Sequence, residues 1–471
     1  MSGRNLTNCS SQYWSCDDMM YVPPQVNTAL DLLAAAGYEA YLVGGAVRDY
    51  VRENRQGKDW DITTSALPEE VERVFAGYRL IETGLKHGTV TVVIDGEPLE
   101  ITTYRVDGSY SDHRRPDSVS FTRSLREDVE RRDFTMNALA YNPSTGIVDL
   151  VGGVKDIEAK ILRCVGDPDR RFQEDALRIL RALRFASVLG LEIDPATAEA
   201  AHKNKNLLNA IAAERIQVEL TKMLCGEGIR EVLTKYSDII AVVMPEIEPM
   251  FGFEQYNPHH NSDVWYHTIK VVANAPAEPV MRWTALLHDV GKPHCFSFDE
   301  QGIGHFFGHA SKSTVIADEL LQRLRFDNAT RERITLLVKN HDTPLPVDEK
   351  GVKRLMNRLG SEAALQIVDI HRADTAGQHQ DCAYRYAEFD KVQTMMQKVL
   401  DEQACFSVKN LAINGNDILM KGLRGKAVGD ALQRALNAVM DGETLNEKNE
   451  LLAFVDRFLD EYKDDYRRMA E

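Results

Sequence analysis

The stretch Tyr41-Leu42-Val43-Gly44-Gly45-Ala46-Val47-Arg48-Asp49, followed shortly by Asp59-Trp60-Asp61-Ile62-Thr63, decides how the first third of the chain reads. A strand-like apolar run ends on two glycines, and an arginine opens the helix that follows. Glycines let backbone N–H groups approach a phosphate, and a helix N-terminus adds a favourable dipole. The second segment alternates with period two. Asp59 and Asp61 therefore share one strand face, with Trp60 and Ile62 turned to the core. A lone Asp-x-Asp pair is more often a solvated strand face than a metal site. A glycine turn just upstream changes that weighting, because the two together supply a phosphate cradle and metal-holding acids.

Working outward, Thr89–Arg105 reads as a hairpin turning at Asp95-Gly96. Leu99, Ile101 and Thr103 fall on one face of its second strand, and Glu100, Thr102 and Tyr104 on the other, which makes Glu100 a third candidate carboxylate. Converging hard oxygen ligands suit Mg²⁺. After about Gly153 the strand signals fade, and segments such as Glu174–Gly190 and Asn206–Leu224 carry apolar residues at helical spacing. The expected architecture is an α/β head with a small mixed sheet, followed by an all-α neck, body and tail. The expected boundaries are 1–22 for a flexible extension, 23–153 for the head, 154–255 for the neck, 256–400 for the body and 401–471 for the tail.

The 471 residues carry 56 Lys and Arg against 72 Asp and Glu, a formal charge of −16. That balance argues against non-specific grip on a polyanion, so any nucleic-acid site must be local. Two basic tracks qualify: residues 160–184 hold seven basic against four acidic side chains, and residues 409–434 hold five against two. Seven scattered cysteines without a Cys-x-x-Cys pair, and no secretory signal, imply reduced thiols and a cytoplasmic protein. No apolar run approaches the roughly 20 residues of a membrane span, so no membrane partner is expected.

Six segments occur in order: Leu42–Asp49, Asp59–Ala66, Gly84–Val93, Arg131–Tyr141, Arg170–Phe185 and Ala213–Leu220. Together they resemble the class II nucleotidyltransferases, specifically the bacterial tRNA CCA-adding enzymes. That resemblance implies Asp59 and Asp61 as the magnesium ligands, assisted by Glu100. It implies triphosphate contacts from Gly44, Gly45 and Arg48, and nucleotide contacts from Arg132 and Asn137; a backbone cap is an equal reading for Asn137. Asp175 and Arg178, three apart and expected on one helix face, would form a protein template for the incoming base. Arg181 and Arg184 continue that series as further nucleotide contacts, while Glu174 is read as structural or switching and Glu214 and Arg215 as braces. The implied reaction adds CMP, CMP and AMP to tRNA from CTP and ATP. A relative that adds only A remains open, because the segment 107–121 keeps the loop that CC-adding relatives shorten.

The body resembles an HD phosphohydrolase domain through His267, His288, Asp289, His309, His341 and Asp374, with Asp342 as an alternative last ligand. Imidazoles and carboxylates suit a second divalent transition metal. A metal phosphohydrolase whose head only binds tRNA is therefore the alternative from another class. In the tail, Lys409, Lys421, Arg424 and Lys426 are candidate tRNA contacts by the same family resemblance.

Overall fold

The computed structural model describes residues 20–54, 60–84, 88–108, 118–256, 262–457 and 459. Asp59 and the centre of the 107–121 loop lie outside the described residues, as does nearly all of the expected N-terminal extension. The chain divides into two units. One holds the residues up to Gly228 with Lys235–Val243, and the other holds Ile229–Thr234 with everything from Met244 on. This division falls before the boundary drawn at 255, inside a continuous helical stretch where the sequence offers no linker.

The first unit is built on a mixed sheet. Its strands are β1 (Ala40–Val43), β2 (Asp61–Thr64), β3 (Arg79–Gly84), β4 (Thr89–Ile94) and β5 (Glu97–Thr103). A short side ribbon, β6 (Arg105–Asp107) with β7 (Val119–Phe121), follows, then β8 (Ala140–Asn142) and β9 (Gly146–Val148). The seven strands of the main sheet lie in the order β3-β4-β5-β2-β1-β8-β9. The expected hairpin is β4–β5, paired from Thr89↔Thr102 to Ile94↔Glu97. Asp95 and Gly96 both take positive φ, 50° and 86°, as a tight turn matching strand twist requires.

At the centre, β2 runs antiparallel to β1 and parallel to β5, which places Val43, Asp61 and Glu100 as register neighbours across three strands. Ile62 and Ile101, one residue further on, are almost fully buried, while Asp61 and Glu100 are exposed. Pleating therefore separates a core face from an acidic face.

Helices α1 (Pro24–Ala35), α2 (Gly45–Glu53), α3 (Pro68–Val74), α4 (Leu125–Glu130) and α5 (Gly153–Glu158) belong to the head. The neck adds α6 (Pro168–Glu174), α7 (Leu177–Leu189), α8 (Pro195–Asn204) and α9 (Ala213–Leu224). The expectation of Asp175 and Arg178 on a single helix is corrected here. Asp175 sits at a break, with extended φ −134° and ψ 103° at the end of α6, and its Oδ1 accepts from the Leu177 N–H opening α7. A short Asp side chain competes for backbone donors and so favours such joints over helix interiors.

The second unit is helical. Its core includes Trp283, fully buried with an edge-on contact to Phe326. One further cluster joins Val352, Met356, Val368, Phe389 and Met396. Another joins Ile413, Ile418, Ala435, Leu451 and Val455 in the tail. No helix of the described residues is long and apolar enough to cross a membrane.

Ile101→Ala should lower the stability of the sheet by about 2–5 kcal/mol, the cost of truncating a fully buried aliphatic side chain. The check is a lower urea midpoint for unfolding of the head.

Candidate functional site

Gly44 ends β1 in a positive-φ conformation (77°) and caps α2. A Cβ there would lie 3.3 Å from Asp61 Oδ2, so glycine meets both the backbone and the space requirement beside the carboxylate. Asp61 thus has Gly44 on its β1 side and Glu100 on its β5 side. The Asp59 partner expected from the period-two pattern lies outside the described residues.

Next to Gly44 opens a cavity of about 410 Å³ to which Arg48, Arg131, Arg132, Arg178, Arg181 and Arg215 all contribute. Acidic and amide groups hold these arginines apart. Arg48 Nη1 donates to Asn137 Oδ1 at 2.9 Å, and Asn137 Nδ2 donates to Asp133 Oδ1 at 3.2 Å. Arg181 closes the chain on Asp133 Oδ2, with Nε at 3.0 Å. Burial alone would push the Asp133 carboxyl up, but the Arg181 guanidinium holds it at about 2. The guanidiniums of Arg48, Arg181 and Arg184 approach the Phe185 ring at 5.3, 5.5 and 4.1 Å from its centroid.

Beneath them, Asp128 is fully buried. It accepts from Arg131 Nη2 at 2.7 Å, Arg132 Nη2 at 3.1 Å, Thr63 Oγ1 at 3.3 Å and the Arg105 N–H at 3.3 Å. It thereby ties the Arg131-Arg132 pair to the strand that carries Asp61. The Nε of Arg132 and Nη1 of Arg215 are buried without a hydrogen-bond partner, which leaves two donors for a ligand in this cavity.

The two expected template residues are secured separately. Arg178 donates to Glu174 Oε2 at 2.9 Å and to the Arg131 and Arg171 carbonyls. Asp175 Oδ2 receives Arg215 Nη2 at 3.2 Å. Glu174 therefore holds the guanidinium and Arg215 the carboxylate, while both template residues still line the cavity. Arg184 instead pairs with Glu219 at 3.1 Å and is not among the cavity's lining residues. Asp128, Asp133, Phe185 and Glu219 were not recognisable as site residues in the sequence; only the Arg-Arg-Asp run hinted at Asp133.

In the second unit His267, His288, Asp289, His309, His341 and Asp374 converge. His267 Nε2 lies 2.9 Å from Asp374 Oδ1, and His288 Nε2 lies 3.1 Å from Asp289 Oδ2. On the other side Asp289 Oδ1 faces His309 and His341 at 3.4 and 3.6 Å. Asp342, the alternative last ligand, is exposed, whereas Asp374 joins Asp289 in the cluster. His288, His309 and His341 each direct Nδ1 to a backbone carbonyl, of Ala285, Phe306 and Val338. Those bonds put a proton on each Nδ1, which leaves the lone pair of a neutral His309 or His341 on Nε2. The Nε2 atoms of His309 and His341 are only 3.2 Å apart, so two lone pairs confront each other unless a proton or cation intervenes. Burial would depress the His288 imidazole, but the Asp289 and Asp374 carboxylates push it up to about 10. Lys292, unmarked in the sequence reading, places its ammonium 2.7 Å from Asp289 Oδ2 and 3.0 Å from Gln255 Oε1.

In the tail, Lys409, Arg424 and Lys426 are exposed, whereas Lys421 is engaged by Asp456 at 2.6 Å.

A family model described as "Poly A polymerase head domain" matches residues 40–163. "Probable RNA and SrmB- binding site of polymerase A" matches 190–251, and "tRNA nucleotidyltransferase domain 2 putative" matches 296–455. Fold and site thus define a nucleotidyltransferase of the poly(A) polymerase head class. The CCA-adding enzyme of Pediococcus pentosaceus is 32% identical over 430 residues, covering 91% of this chain and 96% of the relative. That of Levilactobacillus brevis is 34% identical over 433 residues, covering 90% and 96%. The crystal structure of the Bacillus stearothermophilus CCA-adding enzyme in complex with CTP superposes with a TM-score of 0.70 at 27% identity, covering 94% of this chain and all of that one. The chain belongs to the family of CCA-adding enzymes.

Asp128→Ala should cost about 3–5 kcal/mol, because it removes the buried carboxylate that pairs two half-buried guanidiniums, and Asp128→Asn should cost less. Chemical denaturation of the two variants beside the parent protein checks the order.

Proposed function

We propose that Asp61 and Glu100 form the carboxylate platform, and the arginine cavity the nucleotide site, of a template-independent CCA-adding reaction. The enzyme adds CMP, CMP and AMP to the 3′ end of tRNA from CTP and ATP, with release of pyrophosphate at each step. The observation that carries the site assignment is the alignment of Asp61 between Gly44 and Glu100 beside six arginines.

The adjacent exposed carboxylates fit a divalent cation, and their hard oxygens fit Mg²⁺. Asp61 and Glu100 would hold it, joined by Asp59 on the strength of the sequence spacing. When bound, the ion neutralises charge at the phosphates and lowers the pKa of an attacking hydroxyl. The chain's own groups do the rest. Gly44 and Gly45 leave backbone room for phosphate, Arg48 and Arg132 meet its charge, and Asn137, itself anchored on Asp133, keeps Arg48 in place.

Asp175 and Arg178 choose the base. Cytosine and adenine each present an amino donor beside a ring-nitrogen acceptor, complementary to a carboxylate and a guanidinium. Uracil and guanine present the reverse pattern and would leave buried polar groups unpaired. Arg181 supports the nucleotide through Asp133, and Arg184 steadies α7 through Glu219. The exposed Lys409, Arg424 and Lys426 supply a salt-sensitive tRNA contact. The substrate, together with the free thiols of the described cysteines, supports a cytoplasmic site of action.

The histidine cluster supports a second reading for the other unit, that of an HD-type centre for a divalent transition metal. The confronting Nε2 atoms of His309 and His341, with Asp289 and the His267–His288–Asp374 set adjoining, fit such an ion. When bound, the ion would activate water against a phosphate ester.

Asp61→Ala should cut CMP incorporation by roughly 100- to 1,000-fold or more, measured on a tRNA ending before CCA. Asp175→Ala should relax discrimination of CTP over UTP by about tenfold to a hundredfold, read from misincorporation. His288→Ala should lower the transition-metal content of the purified protein while leaving CMP transfer intact; loss of both would contradict two separate centres.

A further inference from the structure

Asp374 lies on the helix Ser361–Gly377, and Gln378 follows as its C-cap. The Gln378 N–H donates to the Thr375 carbonyl at 3.1 Å, a tightened last turn that keeps residues four apart on one side. Gly377 lets this end of the helix press against the histidine cluster, because a Cβ there would lie 2.9 Å from His267 Cε1 and Nδ1. The Gln378 amide is thereby brought to Asp374. Its Nε2 donates to Asp374 Oδ2 at 2.7 Å, and its Oε1 accepts from Arg385 Nη1 at 3.2 Å. Arg385 opens the helix Arg385–Asp401, with its guanidinium 5.6 Å from the centroid of the Phe389 ring.

The two flanking charges fix the amide. A guanidinium only donates and an ionised carboxylate only accepts, so the amide fits between them one way round, oxygen to Arg385 and nitrogen to Asp374. The Asp374 carboxylate is divided accordingly: Oδ2 is held by Gln378, and Oδ1 faces His267 and His288 at 2.9 and 3.7 Å. Asp289 is treated differently, since its Oδ2 meets the ammonium of Lys292. With Lys292 committed to Asp289, the fixed negative charge left to face a divalent ion is that of Asp374. A direct Arg385–Asp374 pair would cancel that charge. An interposed neutral amide orients the carboxylate and leaves the charge in place.

We propose that Gln378 is a positioning residue of the second centre, holding Asp374 so that one oxygen, Oδ1, is presented to a divalent transition metal, while Arg385 fixes the amide from behind. The proposal rests on the metal-centre reading given above. Partners that orient a ligand in this way change metal affinity by roughly 10- to 100-fold when removed. Gln378 also lines a cavity of about 530 Å³ with Thr375, His379 and Tyr386. Without its side chain, Oδ2 is open to water from that space, and the carboxylate is free to turn both oxygens to an ion.

The test uses the full-length protein, stripped of metal with a chelator and titrated with Co²⁺ as the probe while excess Mg²⁺ fills the hard oxygen sites. The visible absorption of Co²⁺ reports both affinity and coordination. Gln378→Leu should weaken Co²⁺ binding about 10- to 100-fold and change the shape of the absorption band. A merely structural role would shift the urea midpoint and leave the band unchanged. Arg385→Leu, which keeps the amide but frees it to turn over, should weaken binding less. The double variant should bind as Gln378→Leu does, because the two side chains act through one contact. Binding by Gln378→Leu within about twofold of the parent, or losses in the single variants that simply add in the double, would overturn the proposal. If Gln378→Leu did not fold, Arg385→Leu would decide, and an unchanged Co²⁺ affinity there would overturn it. If the parent showed no Co²⁺ binding that His288→Ala removes, the metal-centre reading would fall and the proposal with it. Equally tight binding by the parent and Gln378→Leu would remove only the positioning role.

Discussion

Everything at the proposed nucleotidyl-transfer site depends on backbone pairing among the three central strands. The ladder that sets Val43 against Asp61 and Asp61 against Glu100 brings together residues far apart in sequence. A one-residue slip of β2 would turn Asp61 into the core and Ile62 to the site. The slip is resisted because Ile62 and Ile101 are buried beside each other one step along the same ladder. Hydrophobic burial on one face thus locates the carboxylates on the other.

The arginine cavity shows how so much like charge is kept in one place. Glu174, Asp175, Asp133 and Asp128 each take one or more guanidiniums, leaving selected N–H groups, such as those of Arg132 and Arg215, unsatisfied. A net charge of −16 is compatible with an anionic ligand because the field that matters is that of a few close groups, not the global sum. The second unit solves the converse problem. Buried Asp289 and half-buried Asp374 are stabilised by imidazoles, and Asp289 also by Lys292, so acid and base groups survive desolvation only as a set.

Much of the head was legible in advance. Alternation in β5 located Glu100, and Asp95-Gly96 located the turn, because both depend on neighbouring residues alone. The histidine and aspartate cluster was legible as residue types in order, and exposure separates Asp342 from Asp374, which meets His267. The helix break at Asp175 was less accessible: the apolar spacing of the segment continues through it, while the Asx-type bond to Leu177 that opens the joint leaves no periodic trace. Asp128 and Glu219 were hidden for another reason. A carboxylate on a helix is ordinarily solvated, and only packing shows that these two are buried under arginines.

By itself the sequence determined the alternation of helix and strand, the sides on which acids and apolar residues fall, and the family to which the motifs point. These follow from local periodicity and steric rules that act over a few residues. Only the tertiary structure decided which arginine meets which carboxylate, that Asp61 borders the arginine cavity, and that Arg184 is turned to Glu219. Those outcomes depend on distances between segments separated by tens of residues, set by sheet order and core packing, and no local pattern encodes them.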